Sequence, residues 1–215
     1  MEALLKRAPT PLVPLNPIPS NGAATSTADL AISLLKVVAL KDKATHEHSH
    51  RVYQLTREWA DHMKSRSLWG HMNFTALETA ALLHDVGKIG VLDQILLKPD
   101  ALDPVERQAL EQHSEIGYQM VRDFPGLNDV ASGIRHHHER YDGRGYPLGI
   151  KGTQIPIISR VIAIVDAYDA ITSDRPYRKA RSMSVAVDVI QKEAGTQFCP
   201  ELVSSFVQFM MARNG

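Results

Sequence analysis

The sequence has a single cysteine, Cys199, so no intrachain disulfide can form and no pair of thiolates is available to hold a metal. Aromatic residues make up only 6% of it, and 24 Lys plus Arg balance 24 Asp plus Glu, which leaves no surplus of positive charge to draw the chain to DNA or to a membrane surface. No apolar run approaches the length of a membrane span, and the apolar stretch within Met1–Pro9 is too short for a secretory leader. Period-2 alternation, the mark of a half-buried strand, is also missing, with Ile155–Val165 as the one segment that competes for that reading. Together these absences exclude a disulfide scaffold, a Cys-x-x-Cys metal site and a membrane-spanning protein, and they lead to the expectation of a cytoplasmic protein whose phosphate binding, if any, is local.

What is abundant is histidine. Ten are present, and six of them fall in two short clusters, His46 to His50 and His136 to His138. Proline is concentrated instead at the start, where five of twelve lie between Pro9 and Pro19. Residues 1–26 therefore read as an extended Pro-rich arm or linker, and 27–215 as one helical domain long enough to bury a core.

Within that domain the apolar spacing is helical. Leu30, Leu34, Val37 and Val38 share one face of a helix from Thr27 to about Leu40, and Thr45–Lys64 continues in the same style. Thr75 with Glu78 gives a capping-box signal ahead of the run Ala80–Leu83, which puts His84 near a helix end. Asp103-Pro104-Val105-Glu106 starts a helix expected to reach about Asp123, and Pro125-Gly126 breaks the chain before another over Asn128–Glu139. Three more are expected, over Ile157–Ser173, Ser184–Glu193 and Pro200–Arg213. The predicted fold is all-α, a compact helical bundle with polar side chains projecting into its centre, a known way of building two-metal sites.

The chemistry is carried by His84-Asp85 with Lys88 after it. An imidazole and a carboxylate side by side at the end of an apolar helix can give one ligand to one ion while the carboxylate bridges two. Isolated, such a pair is far more often a capped helix end beside a surface histidine. His48, His113, His137, His138 and Asp166, all on or at the ends of predicted helices, raise the count to five imidazoles and two carboxylates. That donor set, free of thiolate, suits iron or manganese and is compatible with zinc, cobalt or nickel. Arg175 and Arg178 flank Pro176-Tyr177, and guanidinium forks beside a ring suit phosphate binding and purine stacking, although such a pair is usually a surface ion-pair site. His46, His50, His62, His71 and His136 read as solvated or supporting side chains, and Cys199 as a structural residue before Pro200.

His84-Asp85-Val86-Gly87-Lys88 followed by His137-His138-Glu139-Arg140-Tyr141-Asp142-Gly143-Arg144-Gly145-Tyr146-Pro147 resembles the paired signatures of the HD-GYP family. The resemblance extends over Leu40–Phe206 through His48-Ser49-His50-Arg51-Val52, Glu111-Gln112-His113, Val165-Asp166-Ala167-Tyr168-Asp169-Ala170 and Ser173-Asp174-Arg175-Pro176-Tyr177-Arg178. It implies metal ligation by His48, His84, Asp85, His113, His137, His138 and Asp166, with Asp85 as the bridge, Lys88 stabilising phosphoryl charge, and Tyr146, Asp169, Arg175 and Arg178 near the substrate. Members hold Tyr or Glu four residues before the first ligand; here Ala44 cannot bind metal, so two ions are expected and not three.

The activity implied is that of bacterial signalling phosphodiesterases. Hydrolysis of cyclic di-GMP would use a hydroxide bridging two divalent ions, iron or manganese, and would either stop at linear pGpG or proceed to GMP. Two other readings remain open: hydrolysis of another cyclic dinucleotide such as cyclic GMP-AMP, and a catalytically weak sensor or interaction module. The loop Gly143–Pro147, in which Gly143 and Gly145 supply unusual backbone conformations or close approach and Asp142 a brace, is the expected contact for a partner protein.

Overall fold

A computed structural model describes residues 27–66, 69, 72–174 and 179–213. The expected arm over residues 1–26, His71, Arg175 and Arg178 lie outside the described residues. Ten α-helices follow in chain order among the described residues: α1 Thr27–Lys41, α2 Lys43–Ser65, α3 Phe74–Leu83, α4 Asp93–Leu96, α5 Pro104–Glu111, α6 His113–Val121, α7 Asn128–His136, α8 Ile157–Thr172, α9 Met183–Lys192 and α10 Pro200–Arg213. Two 3-10 turns, Val86–Gly90 and Gly152–Gln154, interrupt the loops. No strand occurs among the described residues, only an isolated bridge between Ala194 and Phe198, and Ile157–Val165 is helical.

The helix α3 is central, and its composition explains why. Ala76, Leu77, Ala80, Ala81 and Leu83 are buried around more than one face, and the small alanines let α2, α7 and α8 approach closely. Around it, Trp59 of α2 donates its indole N–H to Ser205 Oγ at 3.2 Å and meets the Phe206 ring edge-on, with centroids 4.9 Å apart, which ties α10 to the back of α2. The burial of α3 carries its C-terminal end, with His84 and Asp85, into the middle of the molecule.

Two expectations about helix ends change. The α3 helix is capped by Asn73, whose side chain accepts from Ala76 N at 3.1 Å, and Glu78 faces Lys64, so the Thr75/Glu78 capping box does not form. The helix expected over Pro104–Asp123 does begin with a capping box at Asp103 but breaks at Gln112, and α6 restarts at His113. His84 does fall at a helix end, and beyond it the chain tightens into the 3-10 turn Val86–Gly90, in which residues three apart eclipse.

That turn packs backbone to backbone on α6. A Cβ added to Gly87 would overlap the His113 carbonyl oxygen and the Gly117 amide nitrogen. Neither is the end of a flexible side chain, so Gly87→Ala must push α6 away from Asp85. The expected cost is about 3 kcal/mol, read as a lowered thermal unfolding midpoint; an unchanged midpoint would show that the two backbones are not locked in this contact.

Candidate metal centre

Three of the expected ligands occupy equivalent positions. His84 is the residue after the last of α3, His137 the residue after the last of α7, and His113 follows α5 with only Gln112 between. In each, the ring turns back so that Nδ1 meets the carbonyl three residues earlier: Ala81 O at 2.8 Å, Leu110 O at 2.7 Å and Ile134 O at 2.6 Å. A carbonyl oxygen can only accept, so Nδ1 carries the hydrogen, and in the neutral ring Nε2 holds a lone pair. The contact gives each of these last-turn carbonyls a side-chain donor, at Leu110 in addition to the backbone N–H of Gln112.

The lone pairs therefore point inward together. Nε2 of His84 lies 3.2 Å from Nε2 of His48, and Nε2 of His113 lies 3.4 Å from Nε2 of His137. Acceptor nitrogens facing one another at that range repel unless a proton or a cation lies between them. The ends of α3, α5 and α7 also bring their partial negative charge to the same place, which favours a cation.

All seven expected ligands fall into two adjoining groups, Asp85 with His113, His137 and His138, and His48 with His84 and Asp166. Asp85 faces both. Its Oδ1 is 3.3 Å from His113 Nε2, while its Oδ2 is 3.4 Å from His84 Nε2 and 3.7 Å from His48 Nε2. The Lys88 ammonium reaches the same Oδ2 at 2.6 Å, brought above Asp85 by the 3-10 turn. Ala44 lines the same cavity and contributes no donor atom.

The protonation states match those of metal ligands. Burial lowers the pKa of His113, pushes that of His137 well below its ordinary value and takes that of His138 to about 3, which keeps these rings neutral. Burial alone would protonate Asp85, but Lys88 and His84 outweigh it and hold the carboxyl well below its usual range. His48 differs: burial opposes its charge, yet the Asp166 and Asp169 carboxylates prevail and raise it to about 9. Its Nε2 stands 3.1 Å from Asp166 Oδ1, so in the ion-free protein a proton bridges the two, and a cation would displace it. Neutral imidazoles beside ionised carboxylates are the states in which these groups bind metal, so the donor set fits.

Two residues expected at the substrate have other partners. Asp169 receives His48 Nδ1 on Oδ2 at 2.7 Å and Arg51 Nε on Oδ1 at 2.7 Å, so its carboxylate is turned to a ligand and a guanidinium. The Tyr146 ring packs on His138, centroids 4.8 Å apart and planes 31° apart, and burial raises its phenol pKa further from neutrality. Both still line the cavity beside the histidines, which encloses about 680 Å³ and is walled also by Arg140 and Asp174. Arg51 had no role read from its type alone. The signal was in the spacing, since His48 and Arg51 on α2 stand three residues apart, as do Asp166 and Asp169 on the facing α8.

The loop after His138 is stitched to the site from outside. Asp142 accepts from Arg144 N at 3.0 Å and from the Arg140 and Arg144 guanidiniums, which hold its carboxyl far below the usual range. Gly143 has φ of 84°, and a Cβ on Gly145 would overlap the His138 carbonyl oxygen, so the two glycines serve the two different purposes expected of them. Of the remaining histidines, His46 and His50 sit toward the surface of α2, and His136 is buried with Nδ1 3.7 Å from Glu139 Oε1, apart from both ligand groups. Cys199 is buried, with Sγ 3.1 Å from Glu201 Oε2.

Comparison with known proteins places this arrangement. A cyclic di-GMP phosphodiesterase of Thermotoga maritima is 35% identical over 190 residues, which cover 86% of this chain and 50% of the relative. A 3'3'-cGAMP-specific phosphodiesterase 3 of Vibrio cholerae is 35% identical over 170 residues, 77% of this chain and 35% of the relative. The chain thus spans half the length of these curated relatives, or less. The crystal structure of the V. cholerae cyclic GMP-AMP-specific phosphodiesterase V-cGAP3 superposes with a TM-score of 0.62 over 85% of this chain and 48% of that one, at 19% identity, and so shares the fold. The family model described as HD domain matches residues 33–202, which include every residue of both ligand groups. The chain belongs to the HD domain family.

Proposed function

We propose that this chain is a metal-dependent phosphodiesterase of the HD-GYP type that opens cyclic di-GMP to linear pGpG. The observation that supports it most is Asp85, a buried, ionised carboxylate with one oxygen toward each of two imidazole groups. His48, His84 and Asp166 would hold one divalent ion, His113, His137 and His138 the other, with Asp85 shared; iron or manganese suits five imidazoles and two carboxylates. When bound, two such ions supply an activated water and neutralise charge on the phosphodiester oxygens.

The chain's own residues do the rest. Lys88 lines the cavity with its ammonium beside Asp85 and brings positive charge to where phosphoryl charge develops. Tyr146 fixes the His138 ring from one side and walls the cavity, whose volume falls in the range of small-molecule sites. Asp174, the residue before Arg175, lines the same cavity, which supports Arg175 and Arg178 as phosphate contacts. The Gly143–Pro147 loop, with exposed Arg144 in it and exposed Leu148 just after it, is the proposed contact for a partner protein.

A second substrate reading has a specific observation behind it, since the cyclic di-GMP and cyclic GMP-AMP relatives match at the same 35% identity. A non-catalytic sensor is disfavoured by the presence of every ligand together with Lys88.

The test is anaerobic incubation of the Mn(II)- or Fe(II)-loaded protein with cyclic di-GMP and with 3'3'-cGAMP, followed by chromatography of the products. Linear pGpG is expected from the first, with no product after chelation. Preferential cleavage of 3'3'-cGAMP would transfer the assignment to that substrate, and binding without cleavage of either would favour the sensor. Asp85→Ala is expected to lose bound metal and to slow turnover by roughly a hundredfold or more, the equivalent of about 3 kcal/mol. Normal turnover at normal metal content in that variant would refute the shared-carboxylate role.

A further inference from the structure

We propose that Asp169 and Arg51 are positioning residues that set the His48 ring, and that they make the His48–His84–Asp166 pocket adjustable independently of its neighbour. The inference rests on the metal-centre reading above.

His48 is unlike the other inward-facing imidazoles in how it is held. The rings of His84, His113 and His137 lean on carbonyls of their own helix ends, supports that no side-chain substitution can remove. His48 lies inside α2, which runs Lys43–Ser65, where the neighbouring carbonyls are already used by the helix. Its Nδ1 therefore needs an acceptor from elsewhere. Asp169 of α8 supplies it at 2.7 Å, and Asp169 is itself pinned by Arg51 through Nε at 2.7 Å and Nη2 at 3.0 Å, and by Ser173 Oγ at 3.2 Å.

The spacing makes this a single device. His48 and Arg51 are one helical turn apart on α2, and Asp166 and Asp169 one turn apart on α8, so the two helices meet as two stacked pairs. The inner pair, His48 with Asp166, belongs to the ligand set. The outer pair, Arg51 with Asp169, stands behind it, with Asp169 6% exposed and the Arg51 side chain 45% exposed. A carboxylate behind a ligand imidazole fixes the ring and makes it a stronger donor, and removal of such support lowers metal affinity by roughly 10–100-fold. Behind His113 and His137 of the other pocket the Leu110 and Ile134 carbonyls do that work.

In Asp169→Asn the amide has the same shape but one acceptor oxygen, while His48 and both Arg51 nitrogens converge on it as donors. Arg51→Ala leaves Asp169 in place but free to turn, and Arg51→Lys returns one charged donor.

The experiment is titration of the metal-stripped full chain with Mn(II), with free ion followed by electron paramagnetic resonance and folding by thermal melting. Wild type is expected to fill two classes of site. Asp169→Asn should weaken one class by roughly 10–100-fold and leave the other unchanged at an unaltered melting midpoint. Arg51→Ala should weaken the same class by less, and Arg51→Lys should recover most of that loss. Two unchanged classes, or two classes weakened equally, would overturn the proposal. Should Asp169→Asn fail to fold, the partly exposed Arg51→Ala decides the matter by the same criterion. A wild-type chain that takes up no Mn(II) would sink the metal-centre reading and the inference with it, whereas failure in the variants alone would sink only the inference.

Discussion

The arrangement depends on one repeated contact, an imidazole Nδ1–H donated to a carbonyl in the last turn of a helix. It occurs at the ends of α3, α5 and α7, and each time it does two things at once. It gives a last-turn carbonyl a side-chain donor, and it aims the opposite nitrogen along the helix direction into the space beyond. Three helices that end at one point thus present three lone pairs to it. The 3-10 turn after α3 then places Asp85 and Lys88 among them, and the contact of Gly87 with α6 holds that turn against His113.

Such convergence is costly for the protein alone. Buried carboxylates and unpaired acceptor nitrogens each lose hydration, and the Nε2 atoms of His113 and His137, 3.4 Å apart, repel. In the ion-free chain the shortfall is met in part by Lys88 on Asp85 and by the proton between His48 and Asp166. Both are positive charges standing where further positive charge would be favoured. The rigid surroundings, with α3 buried among α2, α7 and α8, keep the groups from relaxing apart, which is how a fold maintains a site poised for cations.

Much of this was legible in the sequence because the informative features are local. Helix-period apolar spacing set α1, α2 and α8 to α10 within about two residues, and the helix start at Asp103-Pro104 appears as read. All seven expected ligands come together, those after α3, α5 and α7 at helix ends that are adjacent and His48 and Asp166 on the facing helices α2 and α8. What was not legible depends on tertiary contact. Asn73 and not Thr75 caps α3, a choice between neighbouring polar residues that local propensity does not decide. The break at Gln112 has no Gly or Pro to announce it and shows itself only in the ring of His113 turning back to Leu110. Asp169 was expected near the substrate from the family resemblance, whereas its partners, His48 and Arg51, lie 121 and 118 residues earlier in the chain.

The central claim is that one carboxylate, Asp85, stands between two cation pockets of different construction. Anomalous diffraction at the metal edge from crystals of the manganese-loaded protein tests it most directly. The account predicts two peaks flanking the Asp85 carboxylate, one against His48, His84 and Asp166 and the other against His113, His137 and His138. A single peak on one side of Asp85, or ions bound away from it, would contradict the account.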